Sequence, residues 1–195
     1  DCKEWNTLEE IVISQATSSK SEILKDLPAS KVQNLSEITT QNKERLSTGL
    51  SELDRTLGGG LVDGSVVLIG GDPGIGKSTL ILQALAVINT TNTTLYVSGE
   101  ESAEQVSERA IRLEIKEDIL FISETHLEKI LKLSKDVQPK VIVIDSIQTM
   151  VTDISSSAPG SVTQVRDCAA QLTQYAKQTN TVLLLIGHVT KGGAL

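Results

Sequence analysis

The sequence predicts an α/β domain with a mostly parallel central sheet and helices on both faces. From about residue 33, apolar runs of four to six residues alternate with longer segments of helical periodicity, as in a βαβ array. The runs VVLIG, VIVI and VLLLIG are apolar throughout, which favours strands covered by helices on both faces and placed in the middle of the sheet. A glycine-rich turn follows the first run and leads directly into a helical pattern.

The individual elements follow from the same periodicities. Strands are predicted over residues 66–70, 95–97, 119–122, 141–144 and 182–187, and helices over residues 77–88, 102–113, 127–134 and 162–178. The helix that starts at Lys77 is predicted from the apolar residues Leu80, Ala84 and Val87, which recur at helical spacing. Residues 152–161, rich in Ser with one Pro and one Gly, predict a loop.

Composition excludes several classes of protein. Hydrophobic residues make up 39% of the 195 residues, which favours a globular domain over a disordered chain. No apolar run approaches the roughly 18 residues of a membrane span, so no membrane partner is expected. Two cysteines cannot form a disulfide framework, which favours a reducing compartment and a cytoplasmic location. A net charge of −7 argues against a protein that coats nucleic acid through general basicity.

The N-terminal part differs in composition from the rest of the chain. Residues 7–32 are polar and Ser-rich, and we interpret them as a linker with a possible short helix over 21–27. The alternative interpretation is that residues 7–32 contain an amphipathic N-terminal helix of the core. The α/β core is predicted over 33–195. Because the first residue is Asp rather than Met, we expect the chain to be a piece of a longer protein.

A phosphate-binding motif follows the first strand. Residues 71–78 match GxxxxGK[ST], a spacing in which glycines let successive backbone N–H groups face an anion. Lys77 would reach the β- and γ-phosphates of ATP or ADP, and the Ser78 hydroxyl would coordinate Mg²⁺. Thr79 would donate to the α-phosphate, or else pack in the first helical turn. The predicted nucleotide-binding residues are Gly71, Asp72, Pro73, Gly74, Ile75, Gly76, Lys77, Ser78 and Thr79.

Acidic residues follow two other strands. Asp145 ends the run VIVID, at the sheet edge where ligands bind in open α/β sheets, and we predict that it holds Mg²⁺. Glu100 and Glu101 follow the strand at 95–97, and Glu100 is predicted to be the catalytic base that orients water. Two alternatives remain open: Glu101 is the base, or the pair is a solvated helix start with Glu101 or Ser102 as its cap.

His188 comes directly after the last predicted strand, at the same edge of the sheet. There it would sense the γ-phosphate and take part in catalysis, or it is an ordinary surface or capping residue. Cys2 is a candidate zinc ligand, although four ligands are needed and the chain shows none of the partners.

Several motifs in order carry a resemblance to a known family. They are LSTGLSELDRTLGGGLVDGSVVLIGGDPGIGKSTLILQ (46–83), YVSGEES (96–102), VIVIDSIQT (141–149) and GHVTK (187–191). Over about 33–195 the sequence resembles the RecA-like P-loop ATPases, most closely the bacterial RadA (Sms) family of DNA-repair ATPases. The KaiC-like signalling ATPases, or a nucleotide-gated assembly module that does not act on DNA, are the alternatives.

The resemblance implies roles for particular residues. Lys77, Ser78 and Thr79 would hold phosphates and Mg²⁺, Asp145 the metal and Glu100 the catalytic water. His188 would link the ATP site to a DNA-contacting loop. Residues 1–6 look like the end of a four-cysteine zinc module, so that Cys2 would be its last Zn²⁺ ligand in the intact protein.

The resemblance also implies partners and an activity for the longer protein. The family forms ring-shaped, DNA-dependent ATPases that promote branch migration in recombination, so single-stranded or branched DNA, a hexameric ring and a recombinase are expected partners. The chain departs from the family at Gly192, where an acidic residue is usual, and it lacks the KNRFG motif and the Lon-protease-like domain. We therefore expect this piece to be mainly monomeric and to bind DNA weakly through Arg166 and Lys191.

Overall fold

A computed structural model describes Asn34 and residues 44–188. The chain divides into a unit of residues 1–41 and a unit of residues 42–195, and the elements below all belong to the second. Predictions for residues 1–32, Lys191 and Gly192 lie outside the described residues. Among the helices that the structure describes, none combines the length and the apolar character that a membrane span requires.

One parallel sheet forms the centre of the described domain. Its strands are β1 (Val66–Gly71), β2 (Thr94–Ser98), β3 (Leu120–Ser123), β4 (Val141–Asp145) and β5 (Val182–His188). They lie in the order β1-β5-β4-β2-β3, and every neighbouring pair is parallel. The predicted α/β class with a mostly parallel sheet, and the RecA-like P-loop core that the resemblance implied, are confirmed.

Of the five helices named here, the first precedes β1 and the other four connect successive strands. They are α1 (Ser51–Thr56), α2 (Lys77–Asn89), α3 (Ala103–Arg112), α4 (Leu127–Val137) and α5 (Val162–Thr179). The sequence did not predict α1 or the short 3₁₀ turn at Ile147–Thr149. The predicted loop over 152–161 is confirmed, since no helix or strand falls there.

Alternation along the strands produces two hydrophobic cores, one on each face of the sheet. On one face, Val97, Ile144 and Leu185 pack with residues of α4 and α5. On the other, Tyr96, Val143 and Leu184 pack with α2 and α3. All residues of β2 and β4 are buried, as predicted for strands covered on both faces. The first strand differs from that prediction, because β1 lies at an edge of the described sheet and leaves Leu68 46% exposed.

The three apolar residues whose spacing predicted α2 do not all face the sheet. Leu80 and Val87 are 38% and 44% exposed, whereas Ala84 is buried. The buried stripe is instead formed by Ile81, Leu82, Ala84, Leu85 and Ile88. Because α2 is apolar on most of its surface, helical spacing alone fits more than one stripe, and the connection from β1 determines which one faces the sheet.

A carboxylate accepts two backbone hydrogen bonds just before the start of α4. Glu124 lies between β3 and α4, and its Oε1 accepts from the backbone N–H groups of Thr125 and His126 at 2.9 and 3.0 Å. Lys129 Nζ lies 3.0 Å from the other oxygen. The hydrogen bond from the His126 N–H, followed by those of Lys129 and Thr125, lowers the pKa of Glu124 to about 2.

This lowered pKa predicts a pH-dependent contribution to stability. The folded-state pKa lies below the ordinary 4.5, so the contribution is present above about pH 4.5 and is lost as the pH falls toward 2. We expect Glu124→Gln to lower Tm by about 2 °C at pH 7, and the difference from the wild type to shrink as the pH falls below about 4.5 and to vanish only below about pH 2. Thermal unfolding monitored by circular dichroism measures both. The control is Glu108→Gln, which changes an exposed carboxylate; a difference independent of pH would contradict the assignment.

Candidate functional site

Separate sequence motifs meet at the carboxyl edge of the sheet. In the parallel register, Gly71 of β1 lies opposite His188 of β5, and Ser98 of β2 lies opposite Asp145 of β4. The loops after these strands therefore share one edge, where ligands bind in open α/β folds. The structure brings the predicted phosphate loop, Mg²⁺ carboxylate, base and γ-phosphate sensor into this one region.

The loop between β1 and α2 forms an open cradle. Gly74 and Gly76 adopt φ values of +79° and +99°, which side chains disfavour, and no atom lies within 4 Å of a Cβ built at either position. Gly76 is the N-cap of α2, and no side chain bonds to this helix end among the described contacts. The first backbone N–H groups of α2 are thus available to an anion.

Lys77 lies at the base of this cradle and is 8% exposed. Its ammonium donates to the carbonyl oxygens of Gly71 at 2.9 Å and Asp72 at 2.8 Å. Lys77 Nζ also lies 3.4 Å from His188 Nδ1. The buried cation therefore bonds to neutral acceptors, which leaves its positive charge available to phosphate.

His188 connects the lysine to the predicted base. Its Nε2 lies 3.2 Å from Glu100 Oε1. Because an ammonium only donates, Nδ1 accepts from Lys77, and the imidazole proton lies on Nε2, from which it is donated to Glu100. The Ser146 hydroxyl donates to the same carboxylate oxygen. Lys77, His188, Glu100 and Ser146 thus form a continuous hydrogen-bonded chain.

The two adjacent glutamates have different surroundings. Glu101 forms an ion pair with Arg109 of α3, and this bond raises the pKa of Arg109. Ser102 accepts a hydrogen bond from the Gln105 N–H and is the N-cap of α3. Of the two predicted candidates for this cap, Glu101 and Ser102, it is therefore Ser102. Glu100 contacts His188, whereas Glu101 is held by α3. The geometry therefore favours Glu100 as the base.

Asp145 contacts a residue that the sequence analysis missed. Asp145 is 4% exposed, and the phenol of Tyr96 donates to its Oδ2. Burial, followed by the negative charge of Asp145, raises the pKa of Tyr96. The phenol is therefore protonated and acts as a donor. A lone tyrosine in an otherwise aliphatic strand was the available signal.

The donor set at this point fits Mg²⁺. Ser78 in the first turn of α2 offers a hydroxyl and Asp145 at the end of β4 a carboxylate, and Mg²⁺ prefers oxygen ligands with water and phosphate completing its shell. Two other residues with predicted roles have the following surroundings. Thr79 is half-buried in the first turn of α2, directly after Ser78, and Arg166 is exposed on α5. Cys2 lies outside the described residues, and within residues 44–188 no three His, Cys, Asp or Glu side chains cluster as a metal site.

Comparisons with known proteins identify the family. The AAA domain family matches residues 33–194. DNA repair protein RadA is 52% identical in Pseudomonas aeruginosa, 49% in Haemophilus influenzae and 48% in Escherichia coli K12, over the whole chain. The chain spans 43 to 44% of the length of these relatives. The chain belongs to the AAA domain family and contains an ATPase domain of that type, and its predicted resemblance to RadA is confirmed.

Gly99 provides a test of how tightly this site is assembled. Its N–H donates to the Asp145 carbonyl at 2.8 Å, and a Cβ at this position would lie 2.1 Å from Thr149 Oγ1. We expect Gly99→Ala to displace the turn that carries Glu100 and to lower Tm by about 4 °C or more, as overpacking does.

Calorimetric unfolding of Gly99→Ala and of Gly99→Ala combined with Thr149→Ala measures this effect. The second substitution removes the nearest atom and is expected to restore part of the lost stability. An unchanged Tm in Gly99→Ala would contradict the close approach of the two turns.

Proposed function

We propose that this chain is the ATP-binding and ATP-hydrolysing motor domain of a DNA recombination and repair protein that promotes branch migration. The observation that carries the proposal is the contact chain from Lys77 through His188 to Glu100, at the sheet edge where β4 ends in Asp145. It supports a phosphoryl-transfer site, and the names of the relatives support a role in DNA repair.

Nucleotide binding would use the cradle at the start of α2. Phosphate oxygens would accept from the free N–H groups there and draw the Lys77 ammonium away from the carbonyls of Gly71 and Asp72. The exchange is favourable because a charge-assisted bond to phosphate replaces bonds to neutral carbonyl oxygens. Residues 71–79 are the proposed binding residues.

Ser78 and Asp145 are the proposed holders of Mg²⁺. The bound ion would neutralise charge that develops on the phosphate oxygens. Asp145 lies at the end of a fully buried strand, so its position is fixed by pairing on both sides with β2 and β5. Such fixed placement is the main contribution a protein makes to phosphoryl transfer.

Glu100 is the proposed base, and His188 the proposed sensor. Glu100 would orient the attacking water, with Ser146 and His188 holding its carboxylate in place. When Lys77 moves to phosphate, His188 loses the donor to its Nδ1. His188 is then free to rearrange, and its bond to Glu100 changes with the occupancy of the site.

The remaining parts of the proposal concern the longer protein. We propose that it binds single-stranded or branched DNA, assembles into a hexameric ring, cooperates with a recombinase and works in the cytoplasm with a zinc module ending at Cys2. The exposed Arg166 and the loop at 152–161 are the described candidates for DNA contact. Since this loop contains Asp153 and no Lys or Arg, several copies on one strand would be needed for useful affinity.

Hydrolysis by the full-length protein tests the assignment of the base. We expect Glu100→Gln to lower DNA-stimulated ATP turnover by about 100-fold or more while nucleotide binding persists, because the amide keeps the shape and loses the charge that orients water. Glu101→Gln is the matched control, and a smaller loss is expected since that carboxylate pairs with Arg109.

Phosphate release with and without single-stranded DNA gives the readout. A larger loss in Glu101→Gln would contradict the choice of Glu100. Turnover that is unaffected by DNA in the wild type would favour a KaiC-like signalling ATPase, and binding without turnover would favour a nucleotide-gated assembly module.

A further inference from the structure

One buried polar group at the site has no part in the steps above. Tyr96 is fully buried on β2, on the face of the sheet that packs against α2. Its ring lies 6.2 Å from that of Phe121, with 20° between the planes, and belongs to the core. A phenylalanine would fill this space equally well, so packing explains the ring but not the hydroxyl.

The hydroxyl contacts one of the two residues that would hold the metal. It donates to Oδ2 of Asp145, which is buried at the end of β4. A carboxylate needs a fixed orientation to coordinate an ion, and this bond supplies a donor from the neighbouring strand β2.

The bond to Oδ2 has a consequence for the other oxygen of the carboxylate. It restrains rotation of the Asp145 side chain, and among the contacts of the described residues Oδ1 has no hydrogen-bond donor. Oδ1 is thus the oxygen available to a metal or its water. Groups that orient metal ligands in this way typically change metal affinity by about 10- to 100-fold.

We propose that Tyr96 is a positioning residue for Mg²⁺: its phenol holds Asp145 in the orientation that receives the ion. The proposal rests on the proposed function, since it names the residue that orients a metal ligand of that site. It assigns Tyr96 no contact with nucleotide and no part in proton transfer.

Mg²⁺ titration of nucleotide binding tests the proposal without measuring turnover. A fluorescent ADP analogue is bound to the full-length protein in EDTA, and then with increasing Mg²⁺. We expect Tyr96→Phe to bind the analogue normally in EDTA but to need about 10-fold more Mg²⁺ for half of the metal-dependent gain in affinity.

Tyr175→Phe is the matched control, because Tyr175 is the other tyrosine of the chain, is also buried and lies in the core on the opposite face. Its Mg²⁺ midpoint should equal that of the wild type. A double-variant cycle adds a second measurement: on an Asp145→Asn background, Tyr96→Phe should shift the midpoint no further.

The outcomes separate the two proposals. An unchanged midpoint in Tyr96→Phe, an additive shift on the Asp145→Asn background, or weakened binding already in EDTA would each overturn the positioning role. A wild type that binds no nucleotide, or binds it independently of Mg²⁺, would instead contradict the proposed function.

Discussion

Parallel pairing of the strands is the constraint on which the site depends. Because every neighbouring pair is parallel, the carboxyl ends of β1, β2, β4 and β5 meet at one edge, although they are separated by up to 117 positions in the chain from Gly71 to His188. A shift of one residue in the pairing of β4 would turn Asp145 to the opposite face of the sheet. The buried, aliphatic strands make such a shift costly, so the hydrophobic core fixes the positions of the polar groups.

Hydrogen bonds at this edge hold its charged side chains in place. The Lys77 ammonium is held by loop carbonyls, Glu100 by Ser146 and His188, and Asp145 by Tyr96. Lys77 and Asp145 are buried, and leaving either without a partner would cost on the order of several kcal/mol. Most of these bonds can be exchanged for bonds to phosphate or metal. The Tyr96 bond is compatible with metal binding, which is why we assign it a lasting role.

The sequence predicted those parts of the fold and site that depend on local pattern. The phosphate loop follows from the fixed spacing of glycines and Lys77, and Asp145 from its place at the end of an apolar run. The partners of these residues could not be predicted, because the ion pair of Glu101 with Arg109 and the bond of Tyr96 to Asp145 depend on how helices and strands pack. The buried face of α2 could not be predicted for a related reason. Leu80 and Ile81 are equally apolar, and only packing determines which of them faces the sheet.

Calorimetric titration of ATP into the wild type and Lys77→Ala tests the central claim, that this edge of the sheet is a nucleotide site, most directly. Lys132→Ala, which removes an exposed lysine on α4, is the control. The account predicts that Lys77→Ala weakens ATP binding by about tenfold or more, because a charge-assisted bond to phosphate is lost, while the control binds normally. Equal affinity of the wild type and Lys77→Ala would contradict the account.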